Sequence, residues 1–474
     1  MRSFYKVLSL LLIINCGGGG SPSSDSPLTP SQNILPQPLF KDTPLKLIDA
    51  VSYYSQACNK PSFQFLIPVR INEDNYMDFI AHFWCDSPTP AEFDDQPVQD
   101  ALIAYLSDGF GDYIIDNIEV FGSVNPQLGG ASRKYSRGDL NGDGKDDFAF
   151  AMNWEDGRAS YDYESMIANY AQPSILMSHE SGYSIQRLGN PDWGHSVQVK
   201  DNIVLFGGHS SQAFKLVDSS WIDISEQYLD LSFASFLVDD DYIIKSVRRK
   251  GRQGLELKEN NETISSWMIE ESLKVKFESW NNQGTGKYNE LGVYNIRGEN
   301  YFDGMTSEMC RQDDLIIATI NASKLRSGEI IEGGFYSETE TDPVVIFAFY
   351  EIVNKELIEK ELEIIGEEID HNFNFFDCID INNDNMSDIV AQVFSQPWND
   401  QDNNQGVPEV YINSGGFYFN LDTSTWPTFS LNDGSQGYLS DIDSNGTFDL
   451  VMFPLQANIS GEIEIFLTNK NIKN

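Results

Sequence analysis

Apolar residues along this chain come in short runs broken by clusters of Asp, Asn, Gly and Ser. Three runs are continuous: Phe148-Ala-Phe-Ala-Met152, Ile389-Val-Ala-Gln-Val393 and Leu450-Val-Met-Phe453. Runs of that length with no polar alternation predict strands covered on both faces. Elsewhere apolar and polar residues alternate between turn residues, as in His195-Ser-Val-Gln-Val-Lys-Asp-Asn-Ile-Val-Leu205 and Asp241-Tyr-Ile-Ile-Lys-Ser-Val247, which predicts half-covered strands. Residues 344–365 fit two patterns. One is a hairpin turning at Asn354-Lys355; the other is a helix with Leu357, Ile358, Glu361, Leu362 and Ile365 on one stripe. The pattern as a whole predicts an all-β chain.

The first forty residues read differently. Arg2 and Lys6 precede the apolar run Val7 to Ile14, and Cys16 follows. Eight residues are too few to span a bilayer, so the run predicts an export signal rather than a membrane helix. It resembles a bacterial lipoprotein signal, with residues 1–15 removed and Cys16 lipidated; Asn15 departs from the small residue usual before that Cys. Gly17, rather than Asp, implies sorting to the outer membrane. Gly17 to Gly20 and then Pro22, Pro27, Pro30, Pro36 and Pro38 make residues 16–39 a tether with too little apolar surface to fold. Residues 40–474 are the expected folded domain, exported and held to the bacterial envelope by its lipid alone.

One acidic loop recurs three times. The copies run from Asp139 through Asn141 and Asp143 to Asp147, from Asp380 through Asn382 and Asp384 to Asp388, and from Asp441 through Asp443 and Asn445 to Asp449. All fit D-x-[DN]-x-[DN]-[GN]-x-x-D. Positions 1, 3 and 5 place oxygen side chains on the concave side of a tight turn, and position 9 adds a carboxylate from the far side. Six to eight hard oxygens suit calcium better than magnesium, so about three Ca²⁺ sites are expected. An EF-hand needs Glu at position 12, where these loops carry Phe150, Ala391 and Met452. Each loop runs instead into one of the continuous apolar strands.

At these residues the chain resembles the FG-GAP/VCBS repeat family, whose calcium loops lie between strands of β-propeller blades, as in integrin α-subunits. The segment Val410–Phe419 is similar to the family's outer hairpin, and Ser174–Tyr183 is a weaker copy. The resemblance implies a single β-propeller with inter-strand calcium loops. Loop starts at 139, 380 and 441 leave room for three further units of about 60 residues between the first two copies. Degenerate loops are expected near Lys200-Asp-Asn202, Asp239-Asp-Asp241 and Tyr288-Asn-Glu290. A fourth loop, with Asn72, Asp74, Asn75 and Asp78, carries Arg70 at position 1, where a guanidinium replaces the charge of a metal. That count gives seven blades, with six or eight as the alternatives. The last is short, and residues 40–56 are expected to supply its missing strand.

Charge narrows the function. The chain carries 31 Lys+Arg against 72 Asp+Glu, a formal net charge of −41, which repels phosphate backbones and excludes nucleic-acid binding. The basic cluster Arg248-Arg249-Lys250-Gly251-Arg252 reads as a solvated hairpin tip. Beyond Cys16 there are Cys58, Cys85, Cys310 and Cys378; an even number outside the cytosol suggests disulfides, with three connectivities open. Five histidines form no H-E-x-x-H pair, and no G-x-S-x-G elbow or phosphate-binding loop occurs. No catalytic residue is assigned; His195 and His209 are the histidines considered for a propeller lyase, and each also fits an ordinary strand or hairpin position. The resulting expectation is a cell-surface calcium-binding propeller acting as a non-catalytic adhesion, binding or scaffold module for protein or glycan ligands. A glycan lyase or hydrolase and an envelope assembly protein are the alternatives.

Overall fold

In a computed structural model of the protein, each continuous apolar run is the second strand of a four-stranded antiparallel meander. The structure describes residues 45–46, 61–85 (apart from 73), 100–154 (apart from 125), 171–228 and, with interruptions, 231–467. The signal at 1–15, Cys16, the tether at 16–39, Cys58, Asp239–Asp241, Asn382 and Asp384 lie outside the described residues, as does the side chain of Cys85. Every described element belongs to one compact unit, Leu35–Asn474.

Six four-stranded sheets follow in chain order. Blade 1 is Pro61–Val69, Asp78–Cys85, Asp100–Ser107 and Tyr113–Ile115. Blade 2 is Ala131–Gly138, Asp147–Trp154, Ser174–His179 and Gly182–Arg187. Blade 3 is Ser196–Lys200, Ile203–Gly207, Ser211–Val217 and Ser220–Asp223. Blade 4 is Phe236–Val238, Ile243–Arg249, Arg252–Glu259 and Glu262–Met268. Blade 5 is Asn372–Ile379, Asp388–Phe394, Glu409–Asn413 and Phe419–Leu421. Blade 6 is Ser435–Ser440, Asp449–Pro454 and Glu464–Phe466, with Leu45–Lys46 as its fourth strand. Leu45 pairs with Ile465 and Lys46 with Glu464, so the two ends of the folded domain share one sheet.

The expected seven blades are corrected to six. Between blades 4 and 5 the chain builds a wide seven-stranded sheet with long strands, among them Glu299–Gln312, Leu315–Leu325 and Thr341–Val353. One of its two edge strands, Phe335–Ser337, runs parallel to Leu273–Ser279. The degenerate loop expected at Tyr288-Asn-Glu290 lies inside the strand Lys287–Ile296, so the repeat is not kept through this arc. Residues 341–367 take the hairpin: Asn354 and Lys355 have φ of 52° and 68°, the two left-handed residues of a tight hairpin turn.

The sheets stack as a ring because each buries both faces. In blade 2, Phe148, Phe150 and Met152 pack with Ile80, Leu102 and Ala104 of blade 1. The alternate residues Ala149 and Ala151 pack with Val197, Val204 and Phe206 of blade 3. Further cores join blade 3 to blade 4, blade 4 to the wide sheet, the wide sheet to blade 5, blade 5 to blade 6, and blade 6 back to blade 1. A ring of radially packed meanders closed through both chain ends is a β-propeller. A disulfide between Cys310 and Cys378 ties the wide sheet to blade 5. A short helix, Asn117–Phe121, capped by the Asp116 carboxylate, lies against blade 2, where a Cβ on Gly182 would come within 2.1 Å of the Val120 oxygen.

Phe150 is fully buried at the junction of blades 1 and 2. Phe150→Ala is expected to cost about 3–5 kcal/mol of unfolding free energy, measured by denaturant titration with an unchanged m-value.

Candidate functional site

All three acidic loops lie between the first and second strands of a blade, in blades 2, 5 and 6. The loop with Arg70 occupies the same place in blade 1. Antiparallel connectivity puts the loop between strands one and two at the same end as the loop between strands three and four. The contacts agree: Lys145 Nζ donates to the carbonyl oxygens of His179 and Glu180 across that end of blade 2.

The aspartate at position 9 has a role that spacing did not reveal. Asp78, Asp147, Asp388 and Asp449 are each fully buried at the start of a second strand. Asp147 Oδ2 accepts the Leu140 N–H at 2.7 Å, while Oδ1 accepts the Ser178 N–H at 2.6 Å and the Ser178 hydroxyl at 2.7 Å. Asp78 takes the N–H groups of Ile71 and Ser107, and Asp388 those of Ile381 and Asn413. Asp449 takes the N–H of Ile442. In blades 1, 2 and 5 one carboxylate therefore ties its own loop to the end of the third strand. Ser107, Ser178 and Asn413 were missed as partners, although each follows the apolar stretch of a third strand. Burial pushes Asp78 and Asp147 above the usual carboxylate range, partly offset by these hydrogen bonds.

Positions 1, 3 and 5 shape the turns. Asp139 accepts the N–H groups of Gly142, Asp143 and Gly144, and Asp143 accepts that of Lys145 and the Ser178 hydroxyl. In blade 6, Asp441 accepts from Asn445 and Gly446, and Asn445 accepts from Thr447. A carboxylate has about four lone-pair sites, so these bonds leave room for a cation. Carboxylate oxygens of Asp441, Asp443 and Asp449 lie within 4.8 Å of one another, the one such acidic group among the described residues. Asp443 Oδ1 is buried and has no hydrogen-bond partner. A buried orphan oxygen on a residue grouped with two further carboxylates fits a hard cation, because a cation removes both the repulsion and the unmet bond. In blade 5 the structure places Asp380 and Asp388 at the two ends of the loop; residues 382–385 between them lie outside the described residues.

The opposite end of the ring carries a different chemistry. Asp192, buried in the link between blades 2 and 3, accepts the N–H groups of Trp193, His209 and Ser210 and the Ser210 hydroxyl. His209 Nδ1 lies 3.4 Å from Asp192 Oδ1. Trp193 stacks on His195 at 5.5 Å and meets the edge of His209 at 5.8 Å. The two histidines singled out from sequence thus share one tryptophan, and neither Trp193 nor Asp192 was foreseen. On blade 1 a related carboxylate, Asp100, accepts the N–H groups of Leu128 and Gly129 and lies 3.3 Å from the buried His82. Within the basic cluster, Arg249 pairs with Arg252 across adjacent strands of blade 4; Lys250 and Gly251 lie outside the described residues.

No protein-family model matches the chain, and neither does any curated protein. Solved structures align with it loosely. The β-propeller domain of the Trilobed protease from Pyrococcus furiosus is 11% identical over 87% of this chain and 98% of its own, with a TM-score of 0.33. A post-proline cleaving enzyme from Rickettsia typhi is 8% identical over 86% of this chain and 51% of its own, with a TM-score of 0.36. The chain thus spans about half the length of that enzyme. Polysaccharide lyase Uly1 is 10% identical over 92% and 98%, with a TM-score of 0.28. The propeller assignment rests on the sheet order and the closed ring of cores, not on these alignments. No helix among the described residues is long and apolar enough to cross a membrane.

The raised position of Asp147 sets a sign for pH dependence. Its protonation favours the folded state, so its contribution is fully present below the unfolded carboxylate value of about 4 and is lost as pH rises through the folded value. With chelator present, the stability of the wild type relative to Asp147→Asn should therefore fall from pH 4 upward and then level off, as followed by urea titration.

Proposed function

We propose that this chain is an exported, lipid-anchored, calcium-binding propeller of the FG-GAP/VCBS kind that serves as a non-catalytic binding or scaffold module for a protein or glycan at the cell surface. The observation that carries the calcium part is the buried, unpartnered Asp443 Oδ1 beside Asp441 and Asp449. Asp139, Asn141, Asp143 and Asp147 would hold a second ion, and Asp380, Asn382, Asp384 and Asp388 a third. In each loop the bound ion would neutralise clustered carboxylates and fix the turn between two strands. A chain with a net charge of −41 gains from that neutralisation throughout. The anchor at Cys16 and an outer-membrane location rest on the first forty residues alone.

Extracellular calcium modules bind at ~10⁻⁴–10⁻³ M. With sites near 0.1 mM, 1 mM calcium adds roughly 1.4 kcal/mol per site, and three sites raise the melting temperature by about 4 °C for a domain of this size. Thermal unfolding of the full chain in EDTA and then in calcium checks this. Asp443→Ala should lose about a third of the rise; a melt insensitive to calcium returns the loops to ordinary turns.

A second reading, a glycan-active enzyme, is favoured by one arrangement: Trp193 flanked by His195 and His209, with Asp192 orienting His209. An aromatic surface beside an oriented imidazole suits a sugar ring and a proton transfer. On this reading uronate-rich polysaccharide yields product with wild type and none with His209→Ala, while the calcium-dependent rise in melting temperature is kept. Absence of product with wild type ends it.

A further inference from the structure

The loop with the strongest case for a cation is also a loop that closes the ring. Blades 6 and 1 are neighbours in the ring, and their loops touch at three points. Met77 N–H donates to the Ile442 oxygen at 2.7 Å. The Ser444 hydroxyl donates to the Asn75 oxygen at 2.8 Å, and Arg70 Nη2 donates to Ser444 Oγ at 2.5 Å. Ser444 stands between Asp443 and Asn445, at φ +55°, a conformation that a serine holds only when its surroundings impose it. Arg70 occupies position 1 of blade 1's own loop, where the other three loops carry Asp. Tyr76, at the same junction, is pushed up by burial and by Asp443, Asp449, Asp108 and Asp74, so carboxylates of both blades converge there.

We propose that the 441–449 loop is the latch of the ring, set by its cation. The proposal rests on the calcium reading above. With a cation held by Asp441, Asp443 and Asp449, Ser444 keeps the conformation that grips Asn75 and Arg70. Without one, three carboxylates within 4.8 Å repel, and the loop relieves them by splaying, which carries Ser444 away from blade 1. Arg70 ties blade 1's loop to the state of blade 6. The junction of the first and last blades then closes firmly only where calcium is abundant.

The test is hydrogen exchange on the full chain in EDTA and in 1 mM calcium, read on peptides covering 70–78 and 139–147, with calorimetric titration of calcium alongside. If only the closed junction binds at 441–449 with a dissociation constant near 0.1 mM, the 70–78 amides exchange about tenfold more slowly in calcium. Asp443→Asn should abolish the slowing at 70–78 and keep it at 139–147; Asp139→Asn should do the reverse. Ser444→Gly retains the ligands and suits the left-handed backbone. It should still give calcium heat, weaker than wild type because binding and closure are linked, while losing the protection at 70–78. Calcium heat that depends on Asp443, with exchange at 70–78 unchanged, overturns the latch and leaves the calcium reading standing. No calcium heat in the wild type overturns both.

Discussion

A buried carboxylate at the head of a second strand is the constraint on which the blade ends depend. Asp147 cannot be taken out of water without partners, and it finds them in the N–H of Leu140 and in the N–H and hydroxyl of Ser178. Those partners lie in the preceding loop and in the third strand, so satisfying one side chain fixes the loop before it and the strand beside it. Asp78 and Asp388 repeat the arrangement, and Asp449 repeats its first half. Blade 3 shows the alternative: its first two strands are joined by a tight turn at Asp201 and Asn202, with Asp201 at φ +49°, and no buried aspartate is needed there.

The same end of the ring gathers the acidic loops, and the other end gathers His, Trp and their buried aspartates. This separation follows from antiparallel connectivity, which sends alternate connections to opposite ends. It gives the protein an acidic end and a second end where Trp193, His195 and His209 lie together. The two readings therefore draw on different residues, and each can be tested without touching the other.

Much of this was legible in the linear pattern because it is local. Nine-residue loops, buried second strands and the need for the chain's start to complete its last sheet all follow from spacing and apolar continuity. The blade count was not legible. Tyr288-Asn-Glu290 has the composition of a turn but lies in a strand, because pairing with Leu273–Ser279 on one side and Glu299–Gln312 on the other outweighs local preference. Likewise Leu357, Leu362 and Ile365 suit a helix stripe as well as a strand, and the long pairing with Thr341–Val353 decided between them.

What the amino-acid sequence determined alone was the set of elements whose energetics are settled within a few residues: the acidic turns, the strands that follow them, the excess of negative charge and the unlike first forty residues. What only the tertiary structure decided were the meetings between distant residues. These are Arg70 with Ser444, Cys310 with Cys378, the two histidines around Trp193, and the six blades with one wide sheet. A turn is chosen by its own dihedral angles and side-chain oxygens. A ring is chosen by which faces can be buried against each other, and no stretch of sequence carries that information by itself.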